Sequence, residues 1–458
     1  MIKKITCCGY RGFAQEQTLE LAVPNGKIGS GLTVLIGPNG GGKSTLVECF
    51  SKMSMNDPSF TEGKRNKLAG DRVKISITYS DGQETVLSSV ETGGSETVRN
   101  NMLENYGIYY LPSRRVFNPY FSKSEWDRNT FLQNPEDPQF RGSLLNNFTY
   151  RLFDANKKGR DFNAIFWKIL GKKLEWTIDQ DDNRNYYVKI KKGDVIYHNS
   201  DGLGEGIVSL LFIVDAIFEA KDDELIVIDE PELSLHPQLQ GRLLEEILEL
   251  TKRVQVVIST HSPNMISIES AINGGVVARI YEKDNSSNIS CIDECCRKYF
   301  CSCFFNLNNP HTMGSDARSC FFAEDGYIIT EGQEDVMLFP KILKELDIKE
   351  NIPFFGFGAG GASNIDKIAH IFKCLGFAHI GAIFDGDKKD EYEDFKRKYE
   401  NIGYKAWIIP ADDVRDKPEV KKEAKLGLLD TNRKIKPQYK KDLIKMFEDI
   451  LTYSQPHN

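Results

Sequence analysis

The sequence has no long hydrophobic segment. None of its 458 residues fall in an apolar run of about 18, the length that a membrane-spanning helix needs. The N-terminus, MIKKITCCGY, lacks the apolar core of a signal peptide. We therefore expect a soluble, cytoplasmic protein that does not bind a membrane. A hydrophobic fraction of 40% beside 27% charged residues indicates a globular chain, and the length predicts two or three domains.

The chain also lacks an overall positive charge, since its formal net charge is −7. Nucleic-acid binding is not excluded by this, because a local basic patch is enough to bind phosphates. Residues 415–445 hold eleven Lys and Arg against five Asp and Glu, a net charge of +6. Two interpretations stay open for this segment: a patch that binds phosphates, or the solvated face of a helix.

Paired C-x-x-C motifs, typical of structural zinc sites, are missing. Ten cysteines in a chain of this length predict a reducing compartment and no disulfide framework. Five of the cysteines lie close together in the sequence, and we interpret them as thiols without a metal in preference to a zinc site. They are Cys291, Cys295, Cys296, Cys301 and Cys303, with His311 and Cys320 further along.

A glycine-rich loop is the clearest motif present. GPNGGGKST (37–45) lies between an apolar segment, LTVLI (32–36), and LVECFSKM, which has helical spacing. Strand, G-x-x-x-x-G-K-S loop and helix together predict a phosphate-binding loop for ATP or GTP. Its backbone N–H groups would surround the phosphates, Lys43 would contact the β- and γ-phosphates, and Ser44 would ligate Mg²⁺. The predicted nucleotide-contacting residues are Gly37, Asn39, Gly40, Gly42, Lys43, Ser44 and Thr45.

Two further apolar segments end in polar residues suited to nucleotide hydrolysis. LIVI (225–228) precedes Asp229 and Glu230. We predict that Asp229 holds the Mg²⁺ shell and that Glu230 is the base for the attacking water. VQVVIST (254–260) precedes His261, which is expected at the carboxyl edge of a parallel sheet, where it would sense the γ-phosphate.

GPNGGGKST, LIVIDEPELSLHP and STHSP, in this order, resemble an ABC-type ATPase head. The resemblance places SDGLGEG (200–206) where such heads carry their signature, although the run departs from L-S-G-G-Q. It implies that Ser200, Gly202 and Gly204 contact the nucleotide of a second head, and hence a homodimer. Gln133 is the only candidate for the Q-loop glutamine. Arg114 and Arg115 would touch phosphate or lie on the surface.

The segment between the phosphate loop and the signature is long and contains no heptad run, so the coiled-coil rods of chromosome-structure ATPases are not expected. We predict an inserted subdomain at about 90–185, for dimerisation or partner binding. The alternating tract NYYVKIKKGDVIYH (185–198) predicts a strand.

Carboxylates follow apolar segments in the second half of the chain. YIIT (327–330) precedes Glu331, and IGAIF (380–384) precedes Asp385 and Asp387. The order β–α–β–α–β predicts a small α/β sheet whose crevice is lined by carboxylates. Oxygen ligands without His or Cys suit Mg²⁺ or Mn²⁺ and phosphodiester chemistry.

TEG at 330–332 and DGD at 385–387 resemble a TOPRIM domain. The resemblance implies that Glu331 is a metal ligand or general base and that Asp385 and Asp387 are metal ligands. Asp335 matches a further acidic position of nuclease-type TOPRIM domains. Asp413 is a weaker candidate of the same kind.

An ABC-type head followed by TOPRIM resembles the overcoming-lysogenization-defect (OLD) family of nucleases. We expect an ATPase domain at 1–282, a loop-like linker at 283–324 and a Rossmann-like TOPRIM domain at 325–458. The resemblance implies an ATP-gated, Mg²⁺- or Mn²⁺-dependent DNA endonuclease or nickase in antiviral defence. The alternative is a nucleotide-switched regulatory or DNA-binding subunit, active only with a partner protein or with a reverse transcriptase and its DNA product, as in retrons.

Overall fold

The computed structural model divides the chain into two compact units, Met1–Ile289 and Ser290–Asn458. Each unit is described by itself below. The structure describes residues 1–56, 58–70, 72–90, 96–101, 106–113, 115, 122–123, 127–133, 148–192, 196–198, 203–222, 224–303, 317–322, 325–417 and 424–454. None of the described helices has both the length and the apolar character that crossing a bilayer requires.

The described residues of the first unit form three sheets and six α-helices. Its strands are β1 (Ile2–Cys8), β2 (Gln17–Glu20), β3 (Leu32–Ile36), β4 (Lys74–Tyr79), β5 (Glu84–Ser89), β6 (Thr97–Asn100), β7 (Gly107–Leu111), β8 (Glu175–Gln180), β9 (Tyr186–Lys192), β10 (Ile196–His198), β11 (Glu224–Asp229), β12 (Gln255–Ser259), β13 (Val276–Lys283) and β14 (Ser286–Cys291), the last of which crosses the boundary between the units. Its helices are α1 (Lys43–Ser54), α2 (Arg128–Gln133), α3 (Thr149–Leu170), α4 (Glu205–Phe218), α5 (Pro237–Leu250) and α6 (Ile268–Asn273).

A six-stranded sheet of order β14-β13-β3-β12-β11-β7 forms the centre of the unit. Strands β13, β3, β12, β11 and β7 are parallel. Every residue of β3, β11 and β12 is buried, as expected of strands covered on both faces, which read as continuous apolar runs. The predicted strands at 32–36, 225–228 and 254–260 therefore coincide with β3, β11 and β12. Because they are parallel, the residues after them meet at one edge.

The other two sheets of this unit are antiparallel. One has the order β2-β1-β4-β5-β6 and the other the order β10-β9-β8. The tract 185–198, which we expected to form one strand, contains the two paired strands β9 and β10. The sequence Lys-Gly-Asp at 192–194 is typical of a turn and divides the tract, although the alternation of apolar and polar residues at 188–191 suggested a single strand.

Part of the segment at about 90–185, which we predicted to be an inserted subdomain, belongs instead to the central sheet. Strand β7 belongs to the central sheet. Tyr109 of β7 donates its hydroxyl to Asp215 of α4 at 2.9 Å, and Arg151 of α3 bonds the same carboxylate at 2.9 Å. The apolar run IYYL of β7 is buried, which explains why it pairs with β11 and does not leave the core.

The second unit is a smaller α/β domain. Its strands are β15 (Ile328–Ile329), β16 (Gly381–Phe384), β17 (Lys405–Ile408), β18 (Asp413–Arg415) and β19 (Gly427–Leu429), and its helices are α7 (Glu294–Cys303), α8 (Gln333–Glu345), α9 (Ala362–Cys374), α10 (Lys389–Tyr399) and α11 (Lys440–Ser454). Strands β15, β16 and β17 form a parallel sheet, and β18 pairs with β19. The predicted order β–α–β–α–β is met only in part, because the described residues between α8 and α9 form isolated bridges, such as that of Phe354 with Ile328, in place of a strand.

One hydrophobic core joins helices α8 and α11 to this sheet. It contains Phe339 of α8, Trp407 of β17 and Phe447 of α11. Leu443 and Ile450 lie on the same buried face of α11, whereas Lys440, Lys441 and Lys445 are exposed. This part of the basic segment 415–445 therefore has the solvated helical face that was one of its two interpretations.

The stretch 283–324, expected to be a loop-like linker, is structured where it is described. It holds the end of β13, strand β14, helix α7 and a short 3₁₀ helix at Ala317–Phe322. Helix α7 packs against α9, so it belongs to the second unit. Its many polar residues and cysteines obscured the helical periodicity.

Candidate nucleotide and metal sites

The phosphate loop follows β3 and leads into α1. Gly37 has φ +135°, and a Cβ atom there would lie 2.0 Å from the carbonyl oxygen of Ile280, so only glycine fits. Lys43, the first residue of α1, donates from Nζ to the carbonyl oxygens of Gly37 at 2.8 Å and Pro38 at 3.0 Å. Burial lowers the pKa of Lys43, while the carboxylate of Asp229 opposes this effect. The loop is thus pre-shaped, with its cation held by its own carbonyls.

The predicted magnesium and base residues lie at the end of β11. Asp229 is 5% exposed and its Oδ1 accepts a hydrogen bond from Ser259 Oγ at the end of β12. Glu230 has φ +48°, and its N–H donates to the carbonyl oxygen of Ser259 at 2.9 Å. A non-glycine residue in this left-handed region costs about 1–2 kcal/mol, so neighbouring groups must hold Glu230 in place.

His261 follows β12 at the same edge of the sheet. The ring atom Nε2 lies 4.0 Å from Oε1 of Glu230. The main-chain N–H of His261 donates to Oε1 of Glu232 at 2.7 Å. Burial and the charge of Lys43 lower the pKa of the imidazole, so the ring is neutral near pH 7. The structure therefore brings Lys43, Asp229, Glu230 and His261 together. It adds Glu232, the last residue of the run DEPE (229–232), for which the sequence indicated no role.

Arg115 neither touches the phosphate site nor lies on the surface, the two positions that we expected for it. It is 2% exposed and donates to the carbonyl oxygens of Asp229 at 2.7 Å and Glu230 at 2.9 Å. Its Nε also donates to Ser209 at 2.9 Å. Arg115 is therefore neither a surface residue nor directed at a phosphate, but holds the end of β11. Arg114 lies outside the described residues.

The signature-like run is described only from residue 203 onward. Gly204 immediately precedes α4 as its N-cap, so the glycine-rich run leads into a helix N-terminus, which favours anions. Ser200 and Gly202 lie outside the described residues, and the roles of all three stay predictions.

Gln133 is on the wrong side of the sheet for a Q-loop residue. It ends α2, whose Arg128 pairs with Glu224 at 2.5 Å. Glu224 begins β11 and Asp229 ends it, a separation of about 17 Å at 3.3 Å per residue. The interpretation of Gln133 is therefore wrong, because the polar segment that contains it packs at the amino ends of the strands.

The acidic residues of the second unit converge at the carboxyl ends of β15 and β16. Glu331 follows β15, and its Oε1 accepts the N–H of Asp385, which follows β16, at 2.9 Å. Asp335, in the first turn of α8, accepts the N–H of Gly332 at 2.9 Å. Asp413 begins β18 and is 2% exposed. Asp387 is exposed and is linked to the cluster through Lys425, which also approaches Asp413.

Crowding of these carboxylates changes their protonation. Burial, with the charges of Asp335, Glu331 and Asp413, raises the pKa of Asp385 to about 9. Burial and the charges of Glu331 and Asp413 raise the pKa of Asp335 to about 7. Burial also raises the pKa of Glu331. Such mutual repulsion is relieved by a bound cation.

Two lysines of the basic segment 415–445 lie against the carboxylates. Lys425 Nζ is 2.5 Å from Oδ2 of Asp387 and 3.9 Å from Oδ2 of Asp413. Lys417 pairs with Asp413. The potential metal ligands among the described residues of this cluster are carboxylate oxygens, which fit Mg²⁺ or Mn²⁺. The two lysines balance part of the negative charge of these carboxylates.

Comparison with known proteins supports the nucleotide-binding part. Residues 98–267 match the family described as "AAA domain, putative AbiEii toxin, Type IV TA system". The match runs through the segment that we interpreted as an insertion. The ATPase-type domain predicted from the sequence is therefore confirmed.

Three curated proteins are similar to parts of the chain. Septu protein PtuA of Bacillus thuringiensis is 24% identical over 53% of this chain and 69% of its own length. Old nuclease of Escherichia phage P2 is 29% identical over 34% of this chain and 26% of its own length. OLD nuclease of Thermus scotoductus is 26% identical over 44% of this chain and 40% of its own length.

The similarity thus spans well under half the length of the two nucleases. It agrees with the resemblance to OLD-family nucleases that the sequence motifs suggested. Over part of its length, the chain is therefore similar to Septu protein PtuA and to two proteins named OLD nucleases.

Proposed function

We propose that this chain is an ATP-hydrolysing, divalent-metal-dependent DNA endonuclease or nickase that acts in antiviral defence, with cutting gated by nucleotide. The observation that carries this proposal is the convergence of Glu331, Asp335, Asp385 and Asp413 at the carboxyl edge of a parallel sheet. The names of the two OLD nucleases support the reaction class, and the ATPase-type domain supports the gating.

In the first unit, the proposed roles follow from the geometry. Lys43 would turn from the carbonyls of Gly37 and Pro38 to the nucleotide phosphates. Asp229 and Ser44 would hold Mg²⁺. Glu230 would accept a proton from the attacking water, and His261, 4.0 Å from it, would contact the γ-phosphate as a neutral donor. Ser200, Gly202 and Gly204 would complete the site from a second copy of the chain.

In the second unit, Glu331, Asp335, Asp385 and Asp387 would hold one or two Mg²⁺ or Mn²⁺ ions. Bound ions of this type activate water and stabilise the leaving oxygen of a phosphodiester. Glu331 already orients the main chain after β16 through Asp385 N–H. Lys417 and Lys425 would be free to approach the DNA backbone once cations neutralise the carboxylates.

The test is cleavage of supercoiled plasmid by the full chain with Mg²⁺ or Mn²⁺, with and without ATP. Asp385→Ala should abolish nicking, whereas Asp390→Ala, an exposed carboxylate of α10, should not. Lys43→Ala should remove the dependence on ATP and leave the metal site unchanged. Nicking that survives Asp385→Ala would contradict the proposal. No cleavage by any variant, with ATP hydrolysis intact, would favour the partner-dependent alternative.

A further inference from the structure

A second set of potential metal ligands lies away from the acidic cluster, between α7 and α9. Its members are Asp293, Cys296, His370 and Cys374, and one ligand atom from each lies within 4.8 Å of the others. Two come from the start of α7 and two from the end of α9. None belongs to either site described above.

The local sequences place each pair of donors side by side. Asp293 and Cys296 have the spacing D-x-x-C, with Asp293 just before α7 and Cys296 in its first turn. His370 and Cys374 are four residues apart on α9 and therefore lie on one helix face. Two short-spaced pairs from separate elements are the usual construction of a structural zinc site.

Two of the distances between ligand atoms are close to those around a tetrahedral ion, and all four atoms lie within 4.8 Å of one another. His370 Nε2 lies 3.1 Å from Oδ2 of Asp293 and 3.5 Å from Sγ of Cys374. Zinc bonds of about 2.3 Å to sulfur and about 2.0–2.1 Å to nitrogen and oxygen place neighbouring ligand atoms about 3.3–3.8 Å apart. Without a metal, these side chains can hydrogen-bond one another, since the carboxylate of Asp293 is bonded by both His370 and Cys374. The same three groups can instead share one cation, for which carboxylate, imidazole and thiolate are all ligands.

Asp293 is already oriented for this role. Its Oδ1 accepts the N–H of Cys296 at 2.7 Å, which leaves Oδ2 directed towards His370. The ring of His370 packs edge-on against Tyr299, with centroids 5.5 Å apart. Second contacts of this kind fix the orientation of metal ligands.

The composition of the set selects the metal. Two sulfurs, one nitrogen and one oxygen are too soft for Mg²⁺ or Ca²⁺, which prefer oxygen alone. Four protein donors also fill the tetrahedral shell of Zn²⁺ and leave no open position for a substrate. We propose that Asp293, Cys296, His370 and Cys374 bind one structural Zn²⁺ ion that fastens α7 to α9.

The sequence does not reveal this site, because the cysteines of 291–303 lack the C-x-x-C pairs that indicate structural zinc. Cys296 is the member of that cluster that the described side chains place in the site. Its partners on α9 are more than seventy residues away in the chain, and one donor of the first pair is an aspartate.

The first test is the metal content of the wild-type full chain, expressed with added zinc and purified without a metal-affinity column. We expect about one zinc per chain, and removal of the metal should lower the melting temperature by roughly 5 °C or more. Co²⁺ added to the stripped protein should give the visible bands of tetrahedral cobalt and a thiolate charge-transfer band. Zinc below about a tenth of an equivalent, with no such spectrum, would overturn the proposal.

Variants separate the metal site from its alternatives. Cys296→Ser and Cys374→Ser should lose the zinc and the charge-transfer band, whereas Cys295→Ser, the neighbouring thiol on α7, should keep both. Asp293→Asn keeps an N-cap side chain of equal quality and should weaken zinc binding at least tenfold. Unchanged affinity would make Asp293 a helix cap alone.

Two further measurements address other origins of the signal. Asp385→Asn should retain the zinc, which distinguishes this site from adventitious binding at the acidic cluster. A thiol titration should find Cys296 and Cys374 reduced in the stripped protein. Loss of two thiols that a reductant restores, with no bound zinc before stripping, would replace the proposal by a disulfide.

Discussion

Arg115 donates a hydrogen bond of 2.9 Å to the main-chain carbonyl oxygen of Glu230. The same guanidinium bonds the carbonyl oxygen of Asp229 at 2.7 Å. It thereby fixes the peptide units before and after Glu230, the residue that follows β11 and has a left-handed backbone conformation. The side chain of the proposed base is positioned by a residue more than a hundred positions earlier in the sequence.

Replacing Arg115 should therefore impair hydrolysis more than nucleotide binding. Arg115→Ala removes the donor from the carbonyl oxygens of Pro112, Asp229 and Glu230. It thereby removes the restraint on Glu230, so we expect an ATPase kcat about 100-fold lower with a nearly unchanged Kd for ATP. The lost buried contacts should also lower the free energy of unfolding by about 2–4 kcal/mol. Single-turnover hydrolysis, nucleotide titration and urea denaturation measure the three quantities.

Arg253→Ala is the matched control, because Arg253 is half-exposed and pairs with Asp222 on the surface. It should change neither the activation free energy of hydrolysis nor the free energy of unfolding by more than about 0.5 kcal/mol. Equal effects of the two substitutions would show that Arg115 has no special part in placing Glu230.

Glu230 and Lys43 should be separable by their effects on ATP. Glu230→Gln keeps the shape of the side chain but cannot accept a proton, so ATP should bind normally and hydrolysis should fall by about 10² to 10⁴. Lys43→Ala removes the point charge of the phosphate loop and should weaken ATP binding itself. Equilibrium binding of labelled ATP and phosphate release distinguish these outcomes. A Glu230→Gln chain that still hydrolyses ATP at the wild-type rate would exclude Glu230 as the base.

The central strands could be predicted from the sequence because β3, β11 and β12 are buried on both faces and hence continuously apolar. The residues directly after them follow from strand parallelism alone. In the same way, Glu331 and Asp385 could be paired because each ends an apolar segment.

Other features depend on contacts that local patterns do not encode. Arg115 satisfies main-chain carbonyls, which have no sequence signature. Lys425 meets Asp387 through the pairing of β18 with β19. His370 and Cys374 lie on an ordinary amphipathic helix, where a polar face is usually solvated. In each case the partner is distant in the chain, and only the tertiary fold brings the two together.

The acidic cluster should make the metal-free protein less stable as the pH rises. The pKa of Asp385 is raised to about 9 by burial and by neighbouring carboxylates, above its ordinary value of 3.8. The folded state therefore binds this proton more tightly than the unfolded state, and stability falls between about pH 4 and pH 9. We expect the melting temperature in EDTA to decrease over this range.

Asp385→Asn removes one of the repelling charges. In EDTA at pH 8 it should raise the melting temperature by about 2–5 °C, while the stabilisation that Mg²⁺ or Mn²⁺ gives the wild type should disappear. Asp390→Asn, on the exposed side of α10, should behave like the wild type. A lower melting temperature for Asp385→Asn in EDTA would show that this carboxylate is not under repulsion.

Lys425 should compete with the metal for the same carboxylates. Its Nζ lies 2.5 Å from Asp387 and 3.9 Å from Asp413, so a divalent cation must displace a bound positive charge. Lys425→Gln removes that charge and should lower the Kd for Mn²⁺ by about 3- to 10-fold, as expected for a lost interaction of about 0.7–1.4 kcal/mol. Mn²⁺ titration in the absence of DNA measures this directly. Lys389→Gln, an exposed lysine at the start of α10, should leave the Kd unchanged, and weaker Mn²⁺ binding by Lys425→Gln would mean that the lysine organises the carboxylates and does not occupy the place of the ion.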